Sequence, residues 1–406
     1  MMQQNNIALM KMENTKIQPA ERLSLVNEYY FSRKLKEVAK MNAEGKDVIS
    51  LAIGSPDMPP SKQTIDKLCE VAQQSNAHGY QPTCGIPELR KAMAGFYKKW
   101  FNVELNPETE IQPLIGSKEG ILHITLAFVN PGDEVLVPNP GYPTYTSLSK
   151  ILGAKVVNYD LAENNGWQPD FDALEKMDLS HVKLMWTNYP NMPTGANAQI
   201  ETYQQLVSFG KRHGIVIVND NPYSFILNDN PVSLLQIDGA KGCCIELNSM
   251  SKSHNMPGWR IGMCAANATF INWILKVKSN IDSGTFRGLQ LAAATAYDND
   301  EEWHRKANIE IYSVRRKYAE KIMDLLNCKY DHKQVGMFLW GRIPDKYANA
   351  EELTEIVLKQ ANVFITPGHI FGSNGERYIR ISLCAKEDKL QEAVRRIEKL
   401  TLTFKH

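Results

Sequence analysis

The chain has 406 residues, 43% of them hydrophobic, with 46 basic residues against 45 acidic ones and a net charge of +1. That is enough apolar material for a sizeable core in two domains, or one large and one small, and the near-neutral balance argues against nucleic acid or a membrane surface as partner. No apolar run approaches the roughly 18 residues of a transmembrane helix, and the seven cysteines form no Cys-x-x-Cys pair and no zinc spacing, so no metal site is expected and the thiols read as small core residues of a reducing, cytoplasmic protein.

In chain order, residues 1–17 read as a flexible arm, because the opening stretch lacks the basic start and long apolar core of a signal peptide. Leu25, Tyr29, Leu35, Val38 and Met41 recur at near-helical spacing, which predicts a helix over 21–44 that Gly45 stops. A short strand over 47–53 ends in the turn-rich Gly54-Ser-Pro-Asp-Met-Pro-Pro60. Ser61 caps a helix to 73, and Pro87 opens another over 88–100 at its favoured first position. Alternation follows. Strands over 110–115 (with Pro113 against it), 134–137, 155–159, 182–186, 215–218, 243–248 and 261–266 are separated by helices over 121–129, 146–152, 199–213 and 270–279. Such a pattern predicts an α/β fold with a mostly parallel sheet covered by helices on both faces. After Gly284 the pattern changes to long helices over 289–297 and 301–327, strands over 335–342, 363–366 and 378–382, and a closing helix over 389–400, a smaller α+β module. The expected division is an arm (1–17), a segment joining the small domain (18–58), a large domain (59–295) and a small domain (296–406).

In open parallel sheets, ligands bind outside the carboxyl ends of the strands. Ser117, Asn191, Asp220 and Lys252 all follow predicted strands, so they are expected to converge on one site. Lys252 stands among Ser249, Ser251 and Ser253, with Arg260 eight residues on. A lysine amid hydroxyls and near a guanidinium suits covalent capture of a phosphorylated carbonyl group; the competing reading is a solvated polar loop.

Pro140-Gly-Tyr-Pro-x-Tyr145, Asn191-x-Pro-Thr-Gly195, Ser249-x-Ser-Lys252, Gly258-Trp-Arg-Ile-Gly262 and Tyr378-Ile-Arg-Ile-Ser382 occur in this order. From about residue 21 onwards, the chain resembles the class I/II aminotransferases of the fold-type-I pyridoxal-phosphate enzymes, within the subgroup of Leu-diaminopimelate, aspartate and alanine aminotransferases. The resemblance implies a large domain with a seven-stranded sheet and ping-pong transfer of an amino group from an L-amino acid to a 2-oxo acid. The alternatives are a C–S β-lyase on the same fold and a non-catalytic ligand-binding relative.

It also implies roles. Lys252 forms a Schiff base with pyridoxal 5'-phosphate and later moves protons. Asp220 pairs with the pyridine nitrogen, although Asp220-Asn-Pro-Tyr223 replaces the family's Asp-x-Ala-Tyr. Asn191 and Tyr223 donate to the cofactor's phenolate oxygen, and the ring of Tyr142 stacks on the pyridine. Asparagine in a proline-rich loop is also a common turn former. Ser117, Lys118, Ser249 and Arg260 hold the phosphate, aided by a helix N-terminus. Tyr80 reaches the phosphate of a second subunit, which makes the enzyme a homodimer with shared sites. Arg380 clamps the substrate α-carboxylate, with the Gly54 backbone and Asn191 nearby. Arg287 and Lys278 either read a distal carboxylate or are solvated.

Overall fold

The computed structural model describes residues 17–26, 28 and 30–403. Residues 1–16 of the expected arm and the expected core position Tyr29 lie outside the described residues. After a two-residue strand β1 (Ile49–Ser50), a seven-stranded sheet is built from β2 (Ile111–Leu114), β3 (Glu134–Asn139), β4 (Lys155–Asp160), β5 (Val182–Thr187), β6 (Val216–Asp220), β7 (Cys244–Ser249) and β8 (Gly262–Ala265). Their spatial order is β2-β8-β7-β6-β5-β3-β4. Strands β3 to β7 pair in parallel, whereas β8 runs antiparallel to both β7 and β2. Two reversals restore the direction, so β2 points the same way as the parallel strands. Its place at the sheet edge explains why Pro113 is tolerated there.

The strands are buried on both faces. Met185, Ile217 and Cys244 pack against helices Pro87–Phe101 and Ile200–His213. Their neighbours Leu184, Trp186, Val218 and Ile245 pack against helices Ser117–Phe128 and Ala268–Lys278. This is the period-2 alternation of a sheet sandwiched between helices, and the fold is the expected α/β class. Glu246 is the charged exception on β7. Fully buried, it accepts from Ser233 Oγ (2.7 Å), the Leu234 N–H (2.8 Å), Tyr97 Oη (2.9 Å) and Asn219 Nδ2 (3.2 Å).

A smaller antiparallel sheet collects the C-terminal strands. It contains β9 (Lys329–Tyr330), β10 (Phe338–Arg342), β12 (Thr366–Pro367) and β13 (Tyr378–Ser382), in the order β12-β13-β10-β9. Residues 363–366 were expected as one strand. They divide at Ile365, because β11 (Val363–Phe364) pairs in parallel with β1 while β12 pairs with β13. Phe31, Val38, Ile49 and Leu51 share one core with Trp340, Leu353, Ile379 and Ile397.

Two helices differ from expectation. Residues 21–44 form a 3-10 turn at Glu21–Leu25 and a separate helix Tyr30–Ala43. The buried face of that helix is Phe31, Lys34 and Val38, and Leu35 is exposed. Lys34 replaces an apolar residue there because its ammonium meets Glu355 and Glu37, which leaves the alkyl stem to pack. The long helix after Asp300 widens into a π-helical stretch, His304–Ile311, before Tyr312–Leu325.

Candidate active site

The carboxyl ends of β2, β3, β5, β6 and β7 open on the same side of the sheet, and β8 begins there. A cavity of about 480 Å³ occupies this side, closed over by residues of the helix Tyr30–Ala43, the segment after β1, and the C-terminal unit. It has three chemically distinct parts.

At its centre lies Asp220, the last residue of β6, only 4% exposed. Tyr145 Oη donates to its Oδ2 at 3.0 Å, and the Tyr145 ring is held by stacking on Trp186, 4.9 Å between centroids and 3° from parallel. Its Oδ1 is buried with no hydrogen-bond partner. Burial pushes the carboxyl pKa up to about 7; the Tyr145 hydroxyl opposes the rise, the Glu246 charge adds to it, and Lys252 opposes it. Lys252 follows β7 in the short helix Met250–Ser253 and lines the same space, its Nζ donating to the Gly54 carbonyl. Burial lowers the Lys252 pKa; the Cys384 thiol works against this, the guanidiniums of Arg380 and Arg260 reinforce it, and Asp220 opposes it.

One end is built to take an anion. Helix Ser117–Phe128 begins there, directly after Gly116 at φ +77°. A Cβ on Gly116 would fall 2.1 Å from Arg260 Nη2, so glycine is what permits the guanidinium to approach the backbone. Arg260 itself sits in the left-handed region (φ 58°, ψ 50°), an uncommon conformation for a side chain of this size. Its guanidinium donates to the carbonyls of Pro257 (2.8 Å) and Ile115 (3.3 Å) and to Ser251 Oγ (3.4 Å). Ser249 caps the Lys252 helix, accepting from the Ser251 N–H at 3.1 Å. Helix N–H groups, hydroxyls and a guanidinium around one recess suit a phosphate.

Arg380 defines the other end, from the middle of β13. It donates to the Ala52 carbonyl (2.7 Å) and to the thioether of Met192 (3.1 Å). Three rings surround its guanidinium carbon, those of Phe338 (4.0 Å), Phe371 (4.6 Å) and Phe31 (5.7 Å).

Of the residues singled out in the sequence, Gly54, Ser117, Lys118, Tyr142, Asp220, Tyr223, Ser249, Lys252, Arg260 and Arg380 line this one cavity. Four do not. Asn191 is not among the lining residues: its Oδ1 accepts from Thr194 Oγ1 (2.7 Å) and the Thr194 N–H (3.2 Å), the turn-forming use of asparagine, and its Nδ2 is buried without a hydrogen-bond partner. The loop folds this way because Asn188 pins it, donating to the Asp220 carbonyl (2.6 Å) and accepting from the Met192 N–H (2.8 Å). Asn188 and Met192 face the cavity in its stead. Tyr80 is 95% exposed and outside the cavity of its own chain. Lys278 is buried away from it, bonded to Glu119 (2.6 Å) and Asp282 (2.7 Å), and Arg287 pairs with Glu88 (3.2 Å). The Lys278 ammonium also bonds two of the three side chains Glu119, His123 and Asp282, which lie close enough together to suggest an ion.

The sequence reading missed Tyr145, Asn188, Met192, Phe31, Phe338 and Phe371. Tyr145 was discoverable: it lies three residues after Tyr142, one helical turn on, inside a motif already noticed. The three phenylalanines come from three distant segments and carry no local signal.

The family model for aminotransferase class I and II matches residues 46–397. The LL-diaminopimelate aminotransferase of Dehalococcoides mccartyi strain BAV1 is 40% identical over 380 residues, 93% of this chain and 97% of its own. That of Aquifex aeolicus is 38% identical over 385 residues, 94% and 99% of the two chains. Among solved structures, substrate-bound BacF from Bacillus subtilis superposes with a TM-score of 0.89 at 36% identity, covering 95% of this chain and 98% of its own.

Proposed function

We propose residue roles for a chain that belongs to the class I and II aminotransferases and moves an amino group from an amino acid to a 2-oxo acid with pyridoxal 5'-phosphate. When bound, that cofactor supplies an aldehyde to carry the amino group and a ring to hold the electron pair left at Cα. The residues fit it. The buried, unpartnered Oδ1 of Asp220 suits a protonated ring nitrogen, and this single observation carries the reading, because a carboxylate is costly to bury without such a partner. Ser117, Lys118, Ser249 and Arg260 would hold its phosphate, the Tyr142 ring would face its ring, and the Tyr223 hydroxyl would donate to its ring oxygen. Asn191 is left out of this set because it does not line the cavity, although its Nδ2 is buried without a hydrogen-bond partner.

Lys252 is the amine that holds the aldehyde in the resting enzyme. Burial lowers its pKa, which favours the neutral amine that would take the proton from the substrate Cα and deliver it on the cofactor side. Arg380 and the Gly54 backbone orient the substrate carboxylate. The named relatives are aminotransferases, which favours transfer over the C–S lyase alternative.

The proposal extends to a cofactor-binding unit at 59–295 and a smaller unit from 18–58 and 296–406, supported by the core that Phe31 and Ile49 share with Trp340. All seven cysteines are free, which supports a reducing compartment and the cytoplasm as location. A homodimer is supported by the exposure of Tyr80. The relatives' names offer LL-diaminopimelate as one amino donor.

The test is a half-reaction. Protein loaded with cofactor should lose its yellow colour on addition of an L-amino acid and release one equivalent of 2-oxo acid; a second 2-oxo acid should restore the colour. Ammonia release with the colour kept would indicate a lyase. Lys252→Ala should have neither colour nor turnover, and a fully active variant overturns the scheme.

A further inference from the structure

We infer that Glu119 is a positioning residue for the cofactor phosphate: it holds the turn that forms the recess, and the buried ammonium of Lys278 keeps it there. The inference rests on the reading of Ser117, Lys118, Ser249 and Arg260 as the phosphate site.

The turn is Ile115-Gly116-Ser117, between β2 and the helix Ser117–Phe128. Different groups fix its two sides. On one side Arg260 donates to the Ile115 carbonyl at 3.3 Å, and a Cβ on Gly262 would fall 2.9 Å from both the Gly116 carbonyl carbon and the Ser117 nitrogen. On the other side the Glu119 carboxylate accepts from the Ile115 N–H. Ile115 is thus held at both its backbone polar atoms, directly before Gly116 at φ +77°. The helix has no side-chain N-cap. A glutamate at the third helical position commonly folds back onto the N–H of the capping residue. Glu119 occupies that position and reaches one residue further, so it braces the turn from outside the helix end that faces the recess.

A carboxylate so near an anion site would repel its ligand, and the structure offsets it. Lys278, only 2% exposed, donates to Glu119 Oε1 (2.6 Å) and to Asp282 Oδ1 (2.7 Å), and His123 Nε2 lies 2.6 Å from the same Glu119 oxygen. A buried ammonium is costly unless paired, and Lys278 ends the helix Ala268–Lys278, where the helix dipole favours a cation. Burial works to raise the Glu119 carboxyl pKa, but bonds with His123, Asp282 and Lys278 and the Lys278 charge outweigh it and hold the group well below the usual range. The two oxygens have separate tasks. Oε1 takes the ammonium and the imidazole, and Oε2 takes the turn. Lys278 therefore belongs to the phosphate end of the site, behind the recess, and not to a distal group of the substrate.

The experiment measures the share of cofactor affinity that the phosphate supplies, as the ratio of the Kd for pyridoxal to that for pyridoxal 5'-phosphate, by absorbance titration of the cofactor-free protein. In the unaltered protein the ratio should be on the order of 100-fold or more, as expected for several hydrogen bonds to a charged group. Glu119→Asp keeps a charge for Lys278 but is one methylene too short to hold the Ile115 N–H as well. It should lower the ratio by about tenfold while the Kd for pyridoxal stays within about twofold. Glu119→Gln loses the charge but can still accept from the Ile115 N–H, and should keep most of the ratio. Lys278→Met, which frees Glu119 from its holder, should lower the ratio in the same direction as Glu119→Asp. A ratio unchanged in Glu119→Asp, or Glu119→Gln weaker than Glu119→Asp, overturns the inference and leaves the recess reading intact. An unchanged ratio in Lys278→Met removes Lys278 from the scheme. If the ratio is near one in the unaltered protein, it is the recess reading that fails, and the inference falls with it.

Discussion

Arg380 shows how one buried cation is made tolerable and useful. Its head has two hydrogen bonds and three aromatic faces, so it is fixed before any substrate arrives. Arg380→Ala should raise the KM for the amino acid by roughly 100-fold, the cost of losing a charge-assisted contact to carboxylate, while the Kd for pyridoxal phosphate changes little. Equal loss of both would move Arg380 out of the substrate end. Asp220→Asn keeps the shape and removes the charge; its expected effect is a fall in kcat on the order of 100-fold or more with cofactor still bound, measurable by stopped-flow. Asp220 and Arg380 were legible because each is a charged residue at the end of or inside an apolar strand, where only a partner explains it, and Lys252 because it follows such a strand among hydroxyls. Asn191 lies outside the lining for an equally physical reason. Asn188 and Asn191 flank one proline three residues apart, and which of them faces the cavity depends on how the turn closes, which residue types alone do not encode.

Among the elements, the reversed strand β8 matters most. By entering the sheet from the site side, it places Arg260 next to Gly116 at the head of the Ser117–Phe128 helix. Strand and helix identities were largely readable from periodicity, and the direction of β8 was not, because apolar runs look alike in either direction. The π-helical turn was also invisible, since its sequence is amphipathic like its neighbours. Its widening lets Asn308 face inward, where the Asn308 carbonyl accepts from the Leu227 N–H (3.1 Å) and Nδ2 donates to the Ser253 carbonyl (2.8 Å), bracing the Lys252 segment from behind. His304 and His254 lie in the same layer, 5.0 Å between ring centroids. Burial holds the His254 pKa down at about 3. The unfolded chain, with an ordinary histidine value of about 6.5, therefore takes up a proton first as pH falls. Stability should be full above about pH 6.5 and be lost below it, by about 2 kcal/mol per such histidine between pH 7 and pH 5. Urea melts at the two pH values should show this slope reduced in His254→Phe; an unchanged slope would mean that other groups set it.

For the molecule as a whole, the covering of the cavity by distant segments explains why the substrate end was hidden in the sequence. The helix Tyr30–Ala43 shares its core with the C-terminal unit, not with the large sheet that follows it in the chain. Tyr80 is almost wholly in solvent, 95% exposed. If two copies share their sites, Tyr80→Ala should weaken pyridoxal phosphate binding by about tenfold, as expected for loss of a hydrogen bond to a charged group. Mixing it with inactive Lys252→Ala protein should then restore full cofactor affinity in the one hybrid site that keeps both residues. Light scattering that gives a monomer, or mixing without recovery, rules the shared site out.

The wall around Arg380 has a consequence for ancestry and engineering. Leu35 and Ile53 line the space for the substrate but belong neither to the recess, the central carboxylate and the lysine nor to the rings around Arg380. Changes at these positions can be tried without rebuilding the chemistry, and distant ones should combine nearly independently. A lineage carrying this scaffold can thus shift its diet by a few cavity-lining swaps, and a laboratory library confined to those codons would explore the same ground.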